Sequence, residues 1–227
     1  MHIFRKGTKN MESNWIEKTE SFLKGTFSES AWLSAHPEDR DYRLEHSYRV
    51  ANIAKTIAEA EGFPTAYAVI GGLLHDIAYC EEMNGEADWK NHGRRSAAIA
   101  RPFLESLGLP PEGIRDICYG IAIHVDDKAD FPEERTPFCE TIGDADNIDR
   151  FDAYRIYETL QYMEFSKMKL SQKKEVAAAT LEKMERLKQL KLATPTANRL
   201  WQQRLSDYAA FYEKLRAQLD NSSAIQK

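Results

Sequence analysis

Residues 66–78 read AYAVIGGLLHDIA, and this stretch decides the fold class. Its first part, up to Leu74, is the longest nearly unbroken apolar run in the chain and is too short to span a bilayer. The apolar residues recur with helical periodicity, which predicts a buried helix that begins at Pro64-Thr65 and runs toward Tyr79. Because a glycine inside a helix costs about 1 kcal/mol relative to alanine, the Gly71-Gly72 pair indicates close approach of another helix.

The apolar run leads directly into His75-Asp76. Burying an imidazole together with a carboxylate is costly unless the two are paired or coordinated, and a divalent cation removes that cost. Three further histidines, His46, His92 and His124, lie on or at the start of segments with helical apolar periodicity. Taken singly, such a histidine is more often a hydrogen-bonded core residue than a ligand. Four of them, with an acid beside one, favour a metal site.

Helical periodicity continues on both sides of this stretch, and no convincing series of alternating strands is present, so we predict an all-α fold. The loops are predicted at Cys80–Asn91 and Val125–Pro137. The other predicted helices carry Trp15 to Leu23, Leu44 to Ile57 with a stop at Gly62, His92–Leu107, Ile114 to His124, Phe138–Phe165, Ser171–Leu192 and Thr196–Leu219.

Three short segments carry a resemblance to a known family: HSYRV at residues 46–50, GLLHDIA at 72–78 and DADNIDR at 144–150. In this order and at these separations they resemble the HD-domain metal-dependent phosphohydrolase superfamily, whereas the dipeptide His-Asp alone would carry almost no information. The resemblance covers roughly residues 40–165. It implies an HD-domain-like helical bundle around a buried metal site formed by four residues, His46, His75, Asp76 and Asp146.

The last of these ligands requires a choice among three neighbouring acids, Asp144, Asp146 and Asp149. Residues two apart on a helix point about 200° away from each other, so Asp144 and Asp146 are not expected to reach the same ion. The family pattern selects Asp146, with Asp144 as the alternative. Asp149 is interpreted as a structural acid or as a partner of a ligand.

Two more segments, NHGRRSAAIAR at 91–101 and IAIHV at 121–125, extend the resemblance to the subgroup with the order H…HD…H…H…D. In that subgroup the added histidines hold a second ion, which implies that His92, His124 and a bridging Asp76 do so here. The alternative is that His92 merely starts a helix and His124 contacts substrate. Imidazole and carboxylate ligands suit Fe, Mn, Co, Ni or Zn better than Mg.

Several basic residues are candidates for contact with a substrate phosphate, because a guanidinium can bind phosphate through two hydrogen bonds. Arg49 lies one helical turn after His46 and therefore shares its face. Arg94 and Arg95 follow His92 closely, and Arg150 follows the Asp146 motif. For each arginine, a surface salt bridge is the alternative interpretation.

Together these residues predict a hydrolase that cleaves a phosphate ester, with a nucleotide or a related small metabolite as substrate. Metal coordination lowers the pKa of a bound water and makes hydroxide available for attack on phosphorus, with Asp76 as the central catalytic ligand. No P-loop or nucleophilic Ser or Cys constellation competes. The alternatives are a mononuclear nucleotide monophosphatase, in which His92 and His124 shape the pocket, and a non-catalytic helical metal-binding regulatory module.

The overall composition limits the classes of partner that the chain is expected to bind. The chain has 227 residues, 42% hydrophobic and 30% charged, which is ordinary for a folded protein. Its net charge of −5 and the lack of a polybasic run indicate neither a nucleic-acid nor a membrane partner. The first ten residues, MHIFRKGTKN, lack the apolar core of a signal peptide, so we expect a cytoplasmic protein. Three widely spaced cysteines, Cys80, Cys118 and Cys139, are interpreted as structural thiols.

We predict three parts: an N-terminal helical extension at 1–40, the phosphohydrolase core at 41–165 and C-terminal helices at 166–227 that pack on the core. The last helix carries a stripe with 4-3-4-3-4 spacing from Trp201 to Leu219, which spans under three heptads. Packing of this stripe on the domain is the first interpretation, and a homodimer is the second.

Overall fold

The structure, a computed structural model, describes the backbone of residues 2–225 and the side chains of residues 11–225. The first ten residues, MHIFRKGTKN, were predicted not to form a signal peptide. Their side chains and the last two residues lie outside the described part of the chain. No strand is present in the described part, which confirms the all-α prediction. The α-helices of the described chain are α1 His2–Glu29, α2 Ala31–Ala35, α3 Pro37–Glu61, α4 Thr65–Leu74, α5 Glu86–Ser106, α6 Pro111–Ile123, α7 Pro137–Asp149, α8 Ala153–Tyr162, α9 Leu170–Leu187 and α10 Pro195–Asp220.

The chain divides into two compact units, Met1–Asp146 and Asn147–Lys227. The first contains α1 to α6 and most of α7, and the second contains α8, α9 and α10. The predicted division after residues 40 and 165 stays a prediction. Among the described residues, no helix combines the length and the apolar character needed to cross a membrane.

Helix α4 is buried along nearly its whole length in the first unit, and its glycines permit this. A Cβ atom on Gly72 would lie 2.7 Å from the Cα atom of Ala51 on α3, closer than real Cβ atoms come to backbone. The predicted close approach at Gly71-Gly72 is therefore confirmed. The core around α4 consists mainly of aliphatic side chains, among them Ile70, Leu73 and Ile117, all essentially inaccessible to solvent.

The predicted continuation of this helix toward Tyr79 is wrong in its last turn. Helix α4 ends at Leu74, and a short 3-10 helix, Ile77–Cys80, follows Asp76. The backbone N–H of Ala78 leaves the helical hydrogen-bond pattern and donates to Ser96 Oγ on α5 at 3.1 Å. His75 and Asp76 therefore lie at a break between two helices, with their side chains directed by a turn.

Two other boundaries also differ from prediction. Helix α5 begins at Glu86 instead of His92, because Gly85 takes a positive φ of 108° before it and Asp88 Oδ2 accepts from Asn84 N at 2.9 Å. The single helix predicted at Phe138–Phe165 is interrupted between α7 and α8. Asp152 starts the second helix by accepting a hydrogen bond from Ala153 N, a common helix-start interaction.

The three cysteines are free thiols, as expected. Cys118 and Cys139 are buried, and Cys80 is half-buried. Burial raises the pKa of the Cys118 thiol to about 11, and it raises the pKa of the other two thiols as well. All three thiols are therefore protonated and unreactive at neutral pH.

Candidate metal centre

The six predicted metal ligands all lie within the first unit, and five helices bring them together. Each is provided by the end or the inward face of a different segment, apart from the adjacent His75-Asp76 pair. His46 lies on α3, His75 and Asp76 follow α4, His92 lies on α5, His124 directly follows α6 and Asp146 lies on α7.

The inner group of this centre consists of His46, His75 and Asp146, which are all buried. The Nε2 atoms of the two imidazoles lie 3.2 Å apart. Asp146 Oδ1 lies 3.2 Å from His46 Nε2 and 3.9 Å from His75 Nε2. Three donor atoms thus face one point, as the ligands of a single ion do. The contacts of Asp146 with both imidazoles support the choice of Asp146 as the ligand.

The outer pair consists of His92 and His124, whose Nε2 atoms lie 3.0 Å apart. Gly93 allows this pairing, because a Cβ atom there would lie 2.7 Å from Ala122 O and 3.2 Å from His124 Nδ1. Helix α5 can therefore approach the end of α6 closely enough to place His92 against His124.

Asp76 lies between the inner group and the outer pair. Its Oδ2 atom is 3.6 Å from both His46 Nε2 and His75 Nε2. Its Oδ1 atom is 3.1 Å from His92 Nε2 and 3.6 Å from His124 Nε2. Each carboxylate oxygen thus faces two imidazoles, an arrangement suited to a bridging ligand.

Backbone carbonyls fix the orientation of three of the four imidazoles. His75 Nδ1 lies 2.8 Å from Gly72 O, His92 Nδ1 lies 2.6 Å from Trp89 O, and His124 Nδ1 lies 2.7 Å from Ile121 O. A ring nitrogen this close to a carbonyl oxygen carries the hydrogen and donates it, so in the neutral ring the lone pair is on Nε2. The three lone pairs therefore point into the centre, where a metal ion would bind.

The protonation states follow from burial and from Asp76. Burial lowers the pKa of His75 from 6.5 to about 4, so this imidazole is neutral at pH 7. Burial would raise the pKa of Asp76, but His75, the hydrogen bonds with His124 and His92 and the nearby Arg43 together hold it well below its usual range. Burial also opposes charge on His124, yet its hydrogen bond to Asp76 and the charge of that carboxylate raise its pKa.

This donor set fits a divalent transition metal ion. Nitrogen lone pairs about 3 Å apart repel each other unless a proton or a cation lies between them, and the raised pKa of His124 shows the same demand for positive charge. Imidazole nitrogen with carboxylate oxygen suits Fe, Mn, Co, Ni and Zn, whereas Mg prefers oxygen ligands alone. The buried His and Asp groups could therefore hold such an ion.

Arg43 is a residue of the centre that the sequence analysis did not identify. Its Nη1 atom donates to Asp76 Oδ2 at 2.9 Å, and its guanidinium carbon lies 3.4 Å from the centroid of the Tyr79 ring. A signal was available, because Arg43 lies three residues before His46 and therefore shares its helix face.

The four arginines that were candidates for contact with phosphate have different neighbours in the structure. Arg94 Nη1 donates to Asp126 Oδ1 at 2.7 Å, and Arg95 forms an ion pair with Glu81. Arg49 Nη1 lies 3.9 Å from Glu45 Oε2. Arg150 belongs to the second unit, where it lines a cavity. The salt-bridge alternative therefore describes Arg94 and Arg95, and the substrate contacts stay predictions.

A small cavity of about 140 Å³ reaches the centre at His92. Its lining includes three carboxylate side chains, Glu81, Glu82 and Asp88, together with Arg95. His92 is also the most exposed of the histidines in the centre, with 9% of its side chain accessible. The outer pair is therefore next to space that a small molecule or an ion can enter.

Comparisons with known proteins identify the family to which this domain belongs. A family model for the HD domain matches residues 43–154, a range that contains all six predicted ligands. No curated protein sequence matches the chain. The fold is similar to the crystal structure of a predicted HD superfamily hydrolase from an uncultured Thermotogales bacterium, with a TM-score of 0.61 and 19% identity over 89% of this chain and 91% of that chain. The chain therefore carries an HD domain and belongs to the HD-domain superfamily.

Proposed function

We propose that this chain is a metal-dependent phosphohydrolase that cleaves a phosphate ester of a nucleotide or a related small metabolite. The observation that supports this most is the position of Asp76, whose two oxygens each face a different pair of imidazoles at 3.1–3.6 Å. Membership of the HD-domain superfamily is consistent with this reaction class, and so is the similarity in fold to a predicted hydrolase of that superfamily.

We assign His46, His75, Asp146 and Asp76 Oδ2 to one ion, and His92, His124 and Asp76 Oδ1 to a second. Two divalent cations bound in this way supply a water of lowered pKa and withdraw charge from a phosphoryl oxygen. Asp76 is the central residue of the chain in this scheme, because its ionised carboxylate offsets positive charge at both positions. Its low pKa keeps it ionised throughout the neutral range.

Arg43 acts through Asp76 in this proposal. Its hydrogen bond at 2.9 Å occupies Oδ2 from the side facing α3, and stacking on Tyr79 restricts its own rotation. The carboxylate plane is thereby held so that its two oxygens serve different imidazole pairs. Residues that orient metal ligands in this way contribute to metal affinity and activity without contacting the reacting atoms.

Arg49, Arg94 and Arg150 stay predicted phosphate contacts, and Arg49 and Arg94 are the two that lie in the same unit as the metal centre. For Arg94 the proposal requires exchange of partners, because Asp126 already accepts from its guanidinium at 2.7 Å. Asp126 follows His124 by two residues, so the ion pair also braces the segment that carries the outer pair. Loss of Arg94 should therefore alter both KM and the metal content, whereas a residue that only bound phosphate would alter KM alone.

The test is a metal analysis on anaerobically purified protein, followed by a phosphate-release screen. The screen covers nucleoside mono-, di- and triphosphates, sugar phosphates and a phosphodiester, with Asp76→Asn protein as the control. Release that depends on Asp76, with more than one ion bound per chain, supports the proposal. Release with one ion per chain supports the mononuclear monophosphatase. Metal binding without release from any compound supports the regulatory module and contradicts a phosphohydrolase.

A further inference from the structure

The second unit contains a cavity of about 540 Å³ that the metal centre does not account for. All of its lining residues lie between Asn147 and Tyr212, so it is formed within this unit. Sites for small organic molecules occupy roughly 300–1,000 Å³. This space is therefore large enough to hold one.

One side of the cavity is an aromatic wall. The Phe151 ring lies nearly perpendicular to Trp201, at a centroid distance of 5.2 Å, and to Tyr208, at 5.6 Å. Tyr212 stacks on Tyr208 at 5.3 Å, and both are buried. Trp201 Nε1 donates to Leu187 O at 3.1 Å, which satisfies the indole, and the Trp201 side chain is buried beside the cavity. Such a wall suits a planar apolar group.

The charged residues of the lining are all basic. Arg150, Arg155 and Lys183 line the cavity, and the described residues of its lining include no Asp or Glu. This departs from the chain as a whole, which carries a net charge of −5, but it agrees with the local composition. Residues 147–227 contain fifteen Lys and Arg residues and ten Asp and Glu residues.

Lys183 is the cation most clearly available to a ligand. Arg155 donates to Glu158 at 2.7 Å, so part of its charge is already offset. The Lys183 ammonium lies 5.5 Å from the centroid of the Phe151 ring and forms no ion pair with any described residue. It stands at the point where the aromatic wall meets the basic residues. A ligand with a planar body and one anionic group would satisfy both features at once.

We propose that this cavity binds a small organic anion with a planar apolar body, the ring beside Phe151 and the anionic group at Lys183. This inference is independent of the proposed hydrolase function, since it concerns binding to a different unit. Charge and shape are both required, so neither a neutral planar molecule nor an inorganic anion should bind comparably.

The test is isothermal titration calorimetry of the full chain with 2-naphthoate, which contains no phosphate ester to hydrolyse. Its neutral analogue is 2-naphthylmethanol, and inorganic phosphate is the purely ionic control. We expect saturable one-to-one binding of naphthoate and binding at least about tenfold weaker for the alcohol, because a charge-assisted contact is lost. Lys183→Gln should weaken naphthoate binding by a similar factor.

Lys174→Gln is the matched control, because Lys174 lies on the same helix, pairs with Asp220 and does not line the cavity. Thr159→Trp, which fills the cavity, should abolish binding. Equal affinity for naphthoate and the alcohol, or equal effects of Lys183→Gln and Lys174→Gln, would overturn the proposal. Binding that is lost in Asp76→Asn protein but retained in Lys183→Gln protein would assign the carboxylate to the metal centre instead. Absence of saturable binding would also reject the proposal, whether or not Thr159→Trp folds.

Discussion

The inner group and the outer pair use the same kind of imidazole but differ in the negative charge that each receives. Among the contacts within 4 Å, the inner group has Asp146 and one oxygen of Asp76, whereas the outer pair has the other oxygen of Asp76. His92 of the outer pair also borders a cavity, whereas His75 of the inner group is fully buried. An ion at the inner position should therefore bind more tightly, and one at the outer position should exchange and meet substrate more readily.

Under the proposed two-ion assignment, this difference would give the inner position a structural role and the outer position a reactive one. Charge interactions strengthen as water is excluded, so a buried position with two carboxylates favours retention of a cation. An ion at the outer position should be held less strongly, but it should be more accessible to substrate. In the proposed two-ion assignment, His46, His75 and Asp146 would hold the more tightly bound ion, and the outer pair would hold the ion nearer to substrate.

The largest effect is expected for Asp76→Asn, which removes the carboxylate shared by both halves. Activity should fall by more than the roughly 10–100-fold that follows loss of a residue that merely orients a ligand. Metal content should fall as well, because asparagine keeps one coordinating oxygen but no charge. Thermal stability should change less than activity, since the fold rests on helix packing.

Asp144→Asn is the matched control for this change, because Asp144 is a buried acid on the same helix as Asp146 but lies outside both His and Asp groups. Measured together, phosphate release and metal content should separate the two variants clearly. Near-wild-type values of both in Asp76→Asn protein would contradict the site and the contrast between its two halves.

The second prediction tests the inner group and the outer pair separately. Replacing both His92 and His124 with glutamine should remove one ion and leave the inner one bound. In the unchanged protein, chelator titration should remove the outer ion at concentrations at least about tenfold lower, because it has less carboxylate to hold it. The measurement is the metal-to-protein ratio at each chelator concentration. A single ion at saturation, unaffected by the double replacement, would refute the two-ion assignment.

The third prediction concerns Arg43, which supports the shared ligand from outside. Arg43→Gln should lower activity roughly 10–100-fold by releasing Asp76 from its fixed plane. Both metal affinities should decline, since the carboxylate serves both positions, and Arg43→Lys should restore part of the loss. Arg40→Gln is the control, because Arg40 is half-buried on the same helix and pairs with Asp41 instead of Asp76. Unchanged metal affinity in Arg43→Gln protein would assign Arg43 to substrate instead of to Asp76.

Much of the inner group could be predicted from sequence because its signals are local. His75-Asp76 follows an apolar run, and the cost of burying that pair indicates coordination whatever the surrounding fold. The glycines of α4 also indicated close helix contact, which Gly72 and Ala51 confirm. The ligand assignments themselves still await a metal analysis.

Other features could not be predicted because they depend on distant partners. The turn that lets Asp76 divide its oxygens requires Ala78 N to bond Ser96, eighteen residues later. Arg94 and Arg95 are indistinguishable in sequence, yet one bonds Asp126 and the other Glu81. The cavity of the second unit likewise draws its lining from four helices, α7 to α10, and leaves no local pattern.

The last and smallest prediction tests whether the outer pair depends on the close approach at Gly93. Gly93→Ala should destabilise the protein by about 1–3 kcal/mol, the usual cost of overpacking, because its Cβ atom would meet Ala122 O at 2.7 Å. The accompanying shift should displace His124, so occupancy of the outer position should decline several-fold while the inner ion stays bound. Gly25→Ala is the control, since a Cβ atom on Gly25 in α1 meets nothing within 4 Å. That change should instead stabilise the protein by about 0.5–1 kcal/mol through higher helix propensity. The measurements are thermal unfolding and metal content of both variants. If Gly93→Ala protein loses the two ions in equal proportion, the inner group and the outer pair do not bind metal independently. The contrast between a retained and an exchangeable ion would then fail.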